Sequence, residues 1–134
     1  MRGLLIIDAA NVVGSVPDGW WRDRAGAAAR LRDALAGHPD SVEVVLVVEG
    51  AARDTASIPR VRAHPAPGSG DDAIVELVQG AGGAATVVTA DRLLRERVRA
   101  LGAEVIGPRE LRSADWFTPR DGGPGGRRTD AGSA

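Results

Sequence analysis

The sequence of 134 residues contains no cysteine. It also contains no lysine, since all 17 basic residues are arginine. The missing cysteine excludes a disulfide framework, a thiolate nucleophile and a zinc site with sulfur ligands. The missing lysine excludes a phosphate-loop lysine, a Schiff-base lysine and a receiver-domain lysine. Function classes that depend on these side chains are therefore excluded.

Aromatic residues are also scarce, with three tryptophans and one phenylalanine, so we expect an aliphatic core in a single domain. The formal net charge of −1 gives no overall signal for nucleic-acid binding, which would need a local arginine surface. The histidines, His38 and His64, each precede a proline and have no partner at ligand spacing. We expect His38 at the surface and assign neither histidine a role.

Long apolar runs are missing as well. No segment reaches the roughly 20 apolar residues that a membrane helix needs. The first apolar run, residues 4–7, is too short for a signal peptide and is followed by Asp8. We therefore expect a cytoplasmic protein without a membrane partner.

Short apolar runs alternate with helical patterns along most of the chain. Strands are predicted at residues 3–7, 42–48, 61–64, 85–89 and 104–106, the third of them more exposed. Helices are predicted at residues 20–36, 71–79, 91–101 and 108–113, and residues 8–18 and 51–59 are expected to be connections. This alternation predicts an α/β domain over residues 1–117, with three α/β/α layers and a mainly parallel sheet. Residues 118–134 are expected to be a disordered tail.

Acidic residues follow three of the predicted strands and one glycine turn. They are Asp8, Glu49, Asp91 and, after the turn at residues 67–70, the pair Asp71 and Asp72. One such acid alone is usually a helix N-cap. Ligands of parallel sheets bind at the carboxyl ends of the strands. Acids that share such a cleft repel one another unless cations neutralise them. Magnesium or manganese ions suit these ligands and can activate water and stabilise a leaving oxygen in phosphodiester hydrolysis.

Three segments together resemble the NYN domain, a branch of the PIN-like nucleases, and in particular its YacP-like bacterial group. They are Asp8-Ala9-Ala10-Asn11, Ser69-Gly70-Asp71-Asp72-Ala73-Ile74 and Val87-Val88-Thr89-Ala90-Asp91. The resemblance covers residues 4–111 and includes the ending at residues 102–111. It implies a PIN-like fold and a ribonuclease that depends on Mg²⁺ or Mn²⁺, with endonucleolytic cleavage of RNA as the first expectation.

The resemblance also implies roles for individual polar residues. The metal ligands that it implies are Asp8, Asp71, Asp72 and Asp91, of which Asp72 is the less certain match. Glu49 matches an acid after the second strand, which completes the metal shell or orients the water. Asn11 is implied to shape the loop or to touch the substrate. Arg92, next to Asp91, and Arg53, after Glu49, are the arginines that we expect near the phosphates.

Two departures from the family pattern leave an alternative open. Ala9-Ala10 stand where the family often has Gly-Tyr, which removes an aromatic contact to a base or sugar, and Glu49 stands in place of aspartate. The alternative is a catalytically weak or inactive RNA-binding module of the same fold. A Rossmann-like binder would need a glycine-rich turn after the first strand, and an aspartyl-nucleophile phosphohydrolase would need an acid at position 10. The sequence leaves open whether the chain forms a homodimer or acts with the ribosome or an antitoxin.

Overall fold

Five parallel strands form the central sheet of the computed structural model, which describes residues 3–119. The strands are β1 (Gly3–Asp8), β2 (Val42–Val48), β3 (Val61–Pro65), β4 (Ala85–Val88) and β5 (Glu104–Ile106). They lie in the order β3-β2-β1-β4-β5, and each neighbouring pair is parallel. Continuous aliphatic runs form these strands because helices cover both faces of the sheet. The prediction of a mainly parallel sheet is confirmed.

Helices pack on the two faces of this sheet. On one face lie α1 (Ala9–Gly14), α2 (Arg24–Ala34) and α5 (Pro108–Arg112), and on the other lie α3 (Gly70–Gly80) and α4 (Arg92–Ala100). The side chains of β1 alternate between the two apolar clusters, as strand geometry requires. Leu5 and Ile7 join the first cluster, and Ile6 joins the second. The predicted three-layer α/β/α fold class is confirmed.

The strand order changes direction at β1. The chain passes from β1 to β2 and β3 on one side, and then crosses to β4 and β5 on the other side. In open parallel sheets such a switch point leaves a crevice at the carboxyl ends of the central strands. Asp8 is the last residue of β1, and Thr89 directly follows β4. Both residues therefore lie at this crevice.

The segment after β1 is a helix, which corrects the predicted loop at residues 8–18. Helix α1 begins directly after Asp8, whose side chain accepts a hydrogen bond from the backbone N–H of Asn11. The predicted helix at residues 20–36 is also divided. Trp20–Arg22 form a separate 3-10 turn, and Asp23 has a non-helical backbone and caps α2.

The other predicted elements are found with bounds that shift by at most one residue at each end. The connection predicted at residues 51–59 includes a 3-10 turn, Gly50–Ala52. Pro108 occupies the first turn of α5, as predicted. Among residues 3–119, no helix has the length and apolar character needed to cross a bilayer.

His38 is buried, which corrects the prediction of a surface residue. Only 6% of it is exposed, and its ring nitrogens lie 2.9 Å from the carbonyl oxygen of Pro39 and 2.6 Å from that of Arg60. The ring of Trp116 packs edge-on against the His38 ring, with centroids 6.5 Å apart.

Phe117 joins the core under α1 and α2. Trp116 and Phe117 thus both pack against the first apolar cluster.

The predicted tail begins with a residue that contacts the domain. The backbone N–H of Thr118 donates a hydrogen bond of 3.1 Å to the carbonyl oxygen of Ala34 at the end of α2. Residues 120–134, which make up most of the predicted tail, lie outside the described residues.

Candidate active site

Asp8 lies at the centre of the carboxyl edge of the sheet and is nearly inaccessible, with 5% of its surface exposed. Its Oδ2 accepts a hydrogen bond of 2.9 Å from the Thr89 hydroxyl. Its Oδ1 accepts a longer one of 3.4 Å from the Asn11 backbone N–H. A buried carboxylate remains charged only where such donors or a cation replace the lost water. Two hydrogen bonds therefore hold the Asp8 side chain in place, and a nearby cation would further stabilise its charged form.

A chain of hydrogen bonds connects Asp8 to Asp91. The Thr89 oxygen that donates to Asp8 also accepts a hydrogen bond of 3.1 Å from the Asp91 backbone N–H. The Asp91 side chain caps α4, because its Oδ1 accepts a hydrogen bond of 3.0 Å from the backbone N–H of Leu94. A carboxylate has about four lone-pair positions, so capping leaves Asp91 able to accept further contacts.

Asn11 holds the loop that carries Asp91. The Asn11 side chain accepts, at its Oδ1, a hydrogen bond of 2.8 Å from the backbone N–H of Ala90. This contact joins α1 to the connection between β4 and α4, one residue before Asp91. Of the two roles implied by the resemblance, it supports the shaping of the loop.

Glu49 follows β2 and reaches the start of α3. Its Oε1 accepts a hydrogen bond of 2.9 Å from the Gly70 backbone N–H. Gly70 is buried, and a Cβ at this position would collide with the Glu49 carboxylate, so glycine is needed for this close approach. Ser69 caps α3, because its Oγ accepts a hydrogen bond of 3.2 Å from the Asp72 N–H. Asp71 therefore lies in the first turn of the helix and is not its cap.

The pKa of Asp8 indicates that other acids face it. Burial raises this pKa from the usual 3.8 to about 6, and the hydrogen bonds from Thr89 and Asn11 oppose the rise. The negative charges of Asp71 and Glu49 raise the pKa further. Coulomb repulsion weakens with distance, so charges that act on Asp8 must lie near it. The carboxylates of Asp8, Asp71 and Glu49 therefore share this edge of the sheet.

Asp71 is close to two other acids of the cleft, Asp91 and Glu49. Burial raises its pKa, and the charges of Asp91 and Glu49 act in the same direction. The positive charge of Arg97 opposes this rise. The structure thus brings together the predicted acids Asp8, Glu49, Asp71 and Asp91. A cation in the cleft would reduce their repulsion.

Asp72 and the predicted arginines lie at the exposed border of the cleft. Asp72 is 70% exposed and forms a salt bridge of 3.2 Å with Arg97 of α4. Arg92 begins α4 beside Asp91, and Arg53 follows the Gly50–Ala52 turn, and both are exposed. The sequence did not single out Arg97, because α4 contains several arginines and its pairing with α3 depends on helix packing.

The donor chemistry of the cleft fits a hard divalent cation. Carboxylate oxygens are the usual protein ligands of Mg²⁺ and Mn²⁺. Within the described part of the chain, no three acidic, histidine or cysteine side chains are close enough together to hold a metal ion alone. Magnesium commonly binds through one or two carboxylates, with waters and a substrate phosphate as its other ligands. The cleft therefore suits an ion that is shared with a phosphate substrate.

A small cavity adjoins the cleft at Glu49. It has a volume of about 160 Å³. Its lining consists of Trp20, Arg24 and Glu49 together with Ala9, Ala10, Val13, Ala28, Gly50 and Ala52. No pattern in the sequence indicates this cavity, because its walls come from segments that meet only through the packing of α1 and α2 against the turn after β2.

Comparison with known proteins agrees with the fold. Neither a family model nor a curated protein matches the chain. The structure is similar to that of Rae1 (YacP) from Bacillus subtilis, with a TM-score of 0.66 and 22% identity over 81% of this chain and 70% of that chain. A mutant of Rae1 (YacP) with a tryptophan replaced by leucine matches over the same shares, with a TM-score of 0.57 and 19% identity. The chain thus has the fold of Rae1 (YacP), as its resemblance to the YacP-like group predicts.

Proposed function

We propose that the chain is a metal-dependent ribonuclease that hydrolyses phosphodiester bonds within RNA. The observation that carries the proposal is the convergence of Asp8, Glu49, Asp71 and Asp91 at the carboxyl edge of the parallel sheet. The raised pKa of Asp8, about 6, means that a cation bound there relieves an unfavourable charge. The resemblance to the YacP-like group of nucleases, together with the shared fold, favours RNA as the substrate.

Three aspartates are proposed to hold Mg²⁺ or Mn²⁺, directly or through bound water. They are Asp8, Asp71 and Asp91, with Asp72 as a further candidate. A divalent ion would supply Lewis-acid chemistry, because it acidifies water and stabilises charge on the phosphate and the leaving oxygen. Glu49 is proposed to complete the shell of the ion through Oε1, which the Gly70 N–H holds in place.

The surrounding residues position this site and its substrate. Thr89 and Asn11 are positioning residues, because Thr89 holds Asp8 and Asn11 holds the loop before Asp91. Arg92 and Arg53 are proposed to bind phosphates on either side of the cleaved bond. Phosphate contacts of this kind set the register of a nucleic acid without reading its sequence.

The proposal is tested by incubating a labelled single-stranded RNA with the purified full chain. We expect internal cleavage with Mn²⁺ or Mg²⁺ and none with EDTA. Asp8→Asn and Asp91→Asn are expected to lower the rate by about 100-fold or more, because each removes a charged ligand.

Asp40→Asn is the matched control. Asp40 precedes β2 at the opposite edge of the sheet, is 94% exposed and pairs with Arg60 at 2.9 Å. This variant should cut RNA at the rate of the unmodified chain. If Asp8→Asn or Asp91→Asn cuts as fast as Asp40→Asn, the assignment of the site is wrong.

The second candidate function is an RNA-binding module without turnover. It is favoured by the absence, among residues 3–119, of a group of three ligands that could hold a metal alone. Binding of the labelled RNA, measured by fluorescence anisotropy, separates the two functions. RNA that is bound and stays intact with Mn²⁺ would establish the module in place of the enzyme.

A further inference from the structure

The cavity beside Glu49 has the size and chemistry of a binding site for one nucleobase. We propose that it receives a single pyrimidine ring, with cytosine preferred, from the nucleotide next to the cleaved phosphate. This inference rests on the proposed function and adds to it a base preference and the residues responsible. Glu49 belongs both to the acidic cleft and to the cavity lining, so a base in the cavity lies next to the phosphate site.

The size of the cavity favours one ring over two. Its volume is about 160 Å³. An apolar protein cavity of about 150 Å³ is known to accept benzene, a single six-membered ring. Small residues leave this space open, among them Ala9 and Ala10 at the start of α1 and Ala52 in the turn after β2. The larger side chain of a leucine at one of these positions would fill it.

Trp20 supplies an aromatic surface for stacking. It is partly buried, and the Arg24 guanidinium lies over its ring at 5.4 Å from the centroid. Trp21 lies edge-on to Trp20, with centroids 6.0 Å apart, and its own side chain is largely exposed. Bases of single-stranded nucleic acids stack on aromatic rings and on arginine planes in this way. Because Arg24 covers one face of the Trp20 ring, the base is proposed to stack on the other face.

Glu49 and Arg24 supply opposite hydrogen-bonding groups. Glu49 uses Oε1 to accept from the Gly70 N–H, and within residues 3–119 no hydrogen bond involves its Oε2. A carboxylate oxygen accepts from the N4 amino group of cytosine, whereas uracil presents an oxygen at that position. Arg24 is a donor and suits the oxygen that both pyrimidines carry at O2. The pair therefore favours cytosine over uracil.

The test compares three short single-stranded RNAs with the full chain and Mn²⁺. One carries a single cytidine within a run of adenosines, one carries a uridine at the same place, and one carries adenosines only. We expect the cytidine RNA to be cut fastest, at the phosphate next to the cytidine. Trp20→Ala should raise KM for this RNA about tenfold with little change in kcat, because stacking on an indole contributes at this scale.

Three further variants make the result specific to the cavity. Ala52→Leu should raise KM in the same way by filling the space, and Trp20→Phe should retain most of the affinity. Trp21→Ala is the matched control, because Trp21 is 53% exposed and is not part of the lining. If Trp20→Ala unfolds the protein, Ala52→Leu decides the question.

The outcomes separate this inference from the proposed nuclease activity. Equal cutting of the three RNAs, or equal KM for Ala52→Leu and Trp21→Ala, overturns the base site and leaves the nuclease standing. Equal cutting of the cytidine and uridine RNAs overturns the preference for cytosine. If no RNA is cut, the proposed function fails. The base site is then tested by measuring RNA binding in EDTA by fluorescence anisotropy. Tighter binding of the cytidine RNA that Ala52→Leu abolishes would support it, and equal binding would overturn it.

Discussion

The Thr89 hydroxyl donates a 2.9 Å hydrogen bond to the Asp8 carboxylate and so joins the carboxyl ends of β1 and β4. The same oxygen accepts the Asp91 backbone N–H at 3.1 Å. One small side chain thereby positions two of the proposed metal ligands. Removing the Thr89 hydroxyl would leave the buried Asp8 carboxylate without the shorter of its two hydrogen bonds.

Replacing this hydroxyl should weaken both the fold and the activity. Thr89→Val keeps the shape of the side chain and loses its hydrogen bonds. We expect the free energy of unfolding in urea to fall by about 1–3 kcal/mol, because a buried acceptor is left unsatisfied. RNA cleavage should fall at least about tenfold. Thr89→Ser should retain both properties, and equal rates for Thr89→Val and Thr89→Ser would contradict the positioning role.

Asp8 should make stability depend on pH. Its folded-state pKa is about 6, above the usual 3.8, so the folded protein binds its proton more tightly than the unfolded chain does. The resulting stabilisation is present below about pH 4 and is lost as the pH rises through about 6. The shift corresponds to about 3 kcal/mol at most. Asp8→Asn cannot ionise and should not lose this stabilisation.

Urea denaturation in EDTA across this pH range measures the effect. The stability of Asp8→Asn relative to the unmodified chain should increase from about pH 4 to about pH 8. Asp40→Asn should show no such trend, because Asp40 is exposed. A constant difference for Asp8→Asn would show that Asp8 titrates as an ordinary surface acid.

Asp91 caps α4 and is also a proposed metal ligand, and substitution can separate these two roles. Asn caps a helix about as well as Asp, so Asp91→Asn should change the free energy of unfolding by less than about 0.5 kcal/mol. Its cleavage activity should nevertheless be lost, because the charge is lost. Asp91→Ala should lose the activity and about 1 kcal/mol of stability as well. Full activity in Asp91→Asn would mean that Asp91 serves only as a cap.

Gly70 should be sensitive to substitution through its contact with Glu49. Gly70→Ala would place a methyl group against the Glu49 carboxylate, which would have to move aside and give up its hydrogen bond from the Gly70 N–H. We expect a loss of about 0.5–1.5 kcal/mol in stability from this hydrogen bond, together with lower cleavage activity. Gly68→Ala is the control, because nothing lies within 4 Å of a Cβ at that position. Similar denaturation midpoints for the two variants would contradict the close packing of Gly70 and Glu49.

Asp72 should matter far less for cleavage than its neighbour Asp71. Its carboxylate pairs with Arg97 at an exposed place, where such a pair contributes at most about 1 kcal/mol. We expect Asp72→Asn to retain cleavage within about tenfold of the unmodified rate, whereas Asp71→Asn should lose it. Equal losses in the two variants, measured under one set of metal conditions, would place Asp72 among the ligands.

The strands were predictable because a strand that is buried on both faces has mostly apolar residues at consecutive positions. Residues 44–48 are a continuous apolar run, residues 105–106 form a shorter one after Glu104, and the structure has strands at Val42–Val48 and Glu104–Ile106. Helix α1 has only six residues and begins at a capping contact between Asp8 and Asn11. Apolar periodicity over so short a segment cannot distinguish a helix from a loop. Asp23 likewise divides the predicted helix at residues 20–36 through its backbone conformation.

The acids of the cleft were predictable from the strand ends, whereas their supporting contacts were not. The contact between Thr89 and Asp8 requires β1 and β4 to be neighbours, and strand order is not encoded in local patterns. The burial of His38 similarly depends on the carbonyl oxygen of Arg60, 22 residues further along the chain. The cavity at Trp20 depends on the packing of α1 and α2 against another segment.

The hydrogen bond between Asp8 and Thr89 spans 81 positions of the chain, which has a consequence for biosynthesis. The N-terminal strand leaves the ribosome first, but the cleft is complete only after Asp91 has been added and β4 has paired with β1. A nascent polypeptide therefore carries isolated acids and no assembled cleft. The proposed active site can therefore form only after most of the domain has emerged from the ribosome.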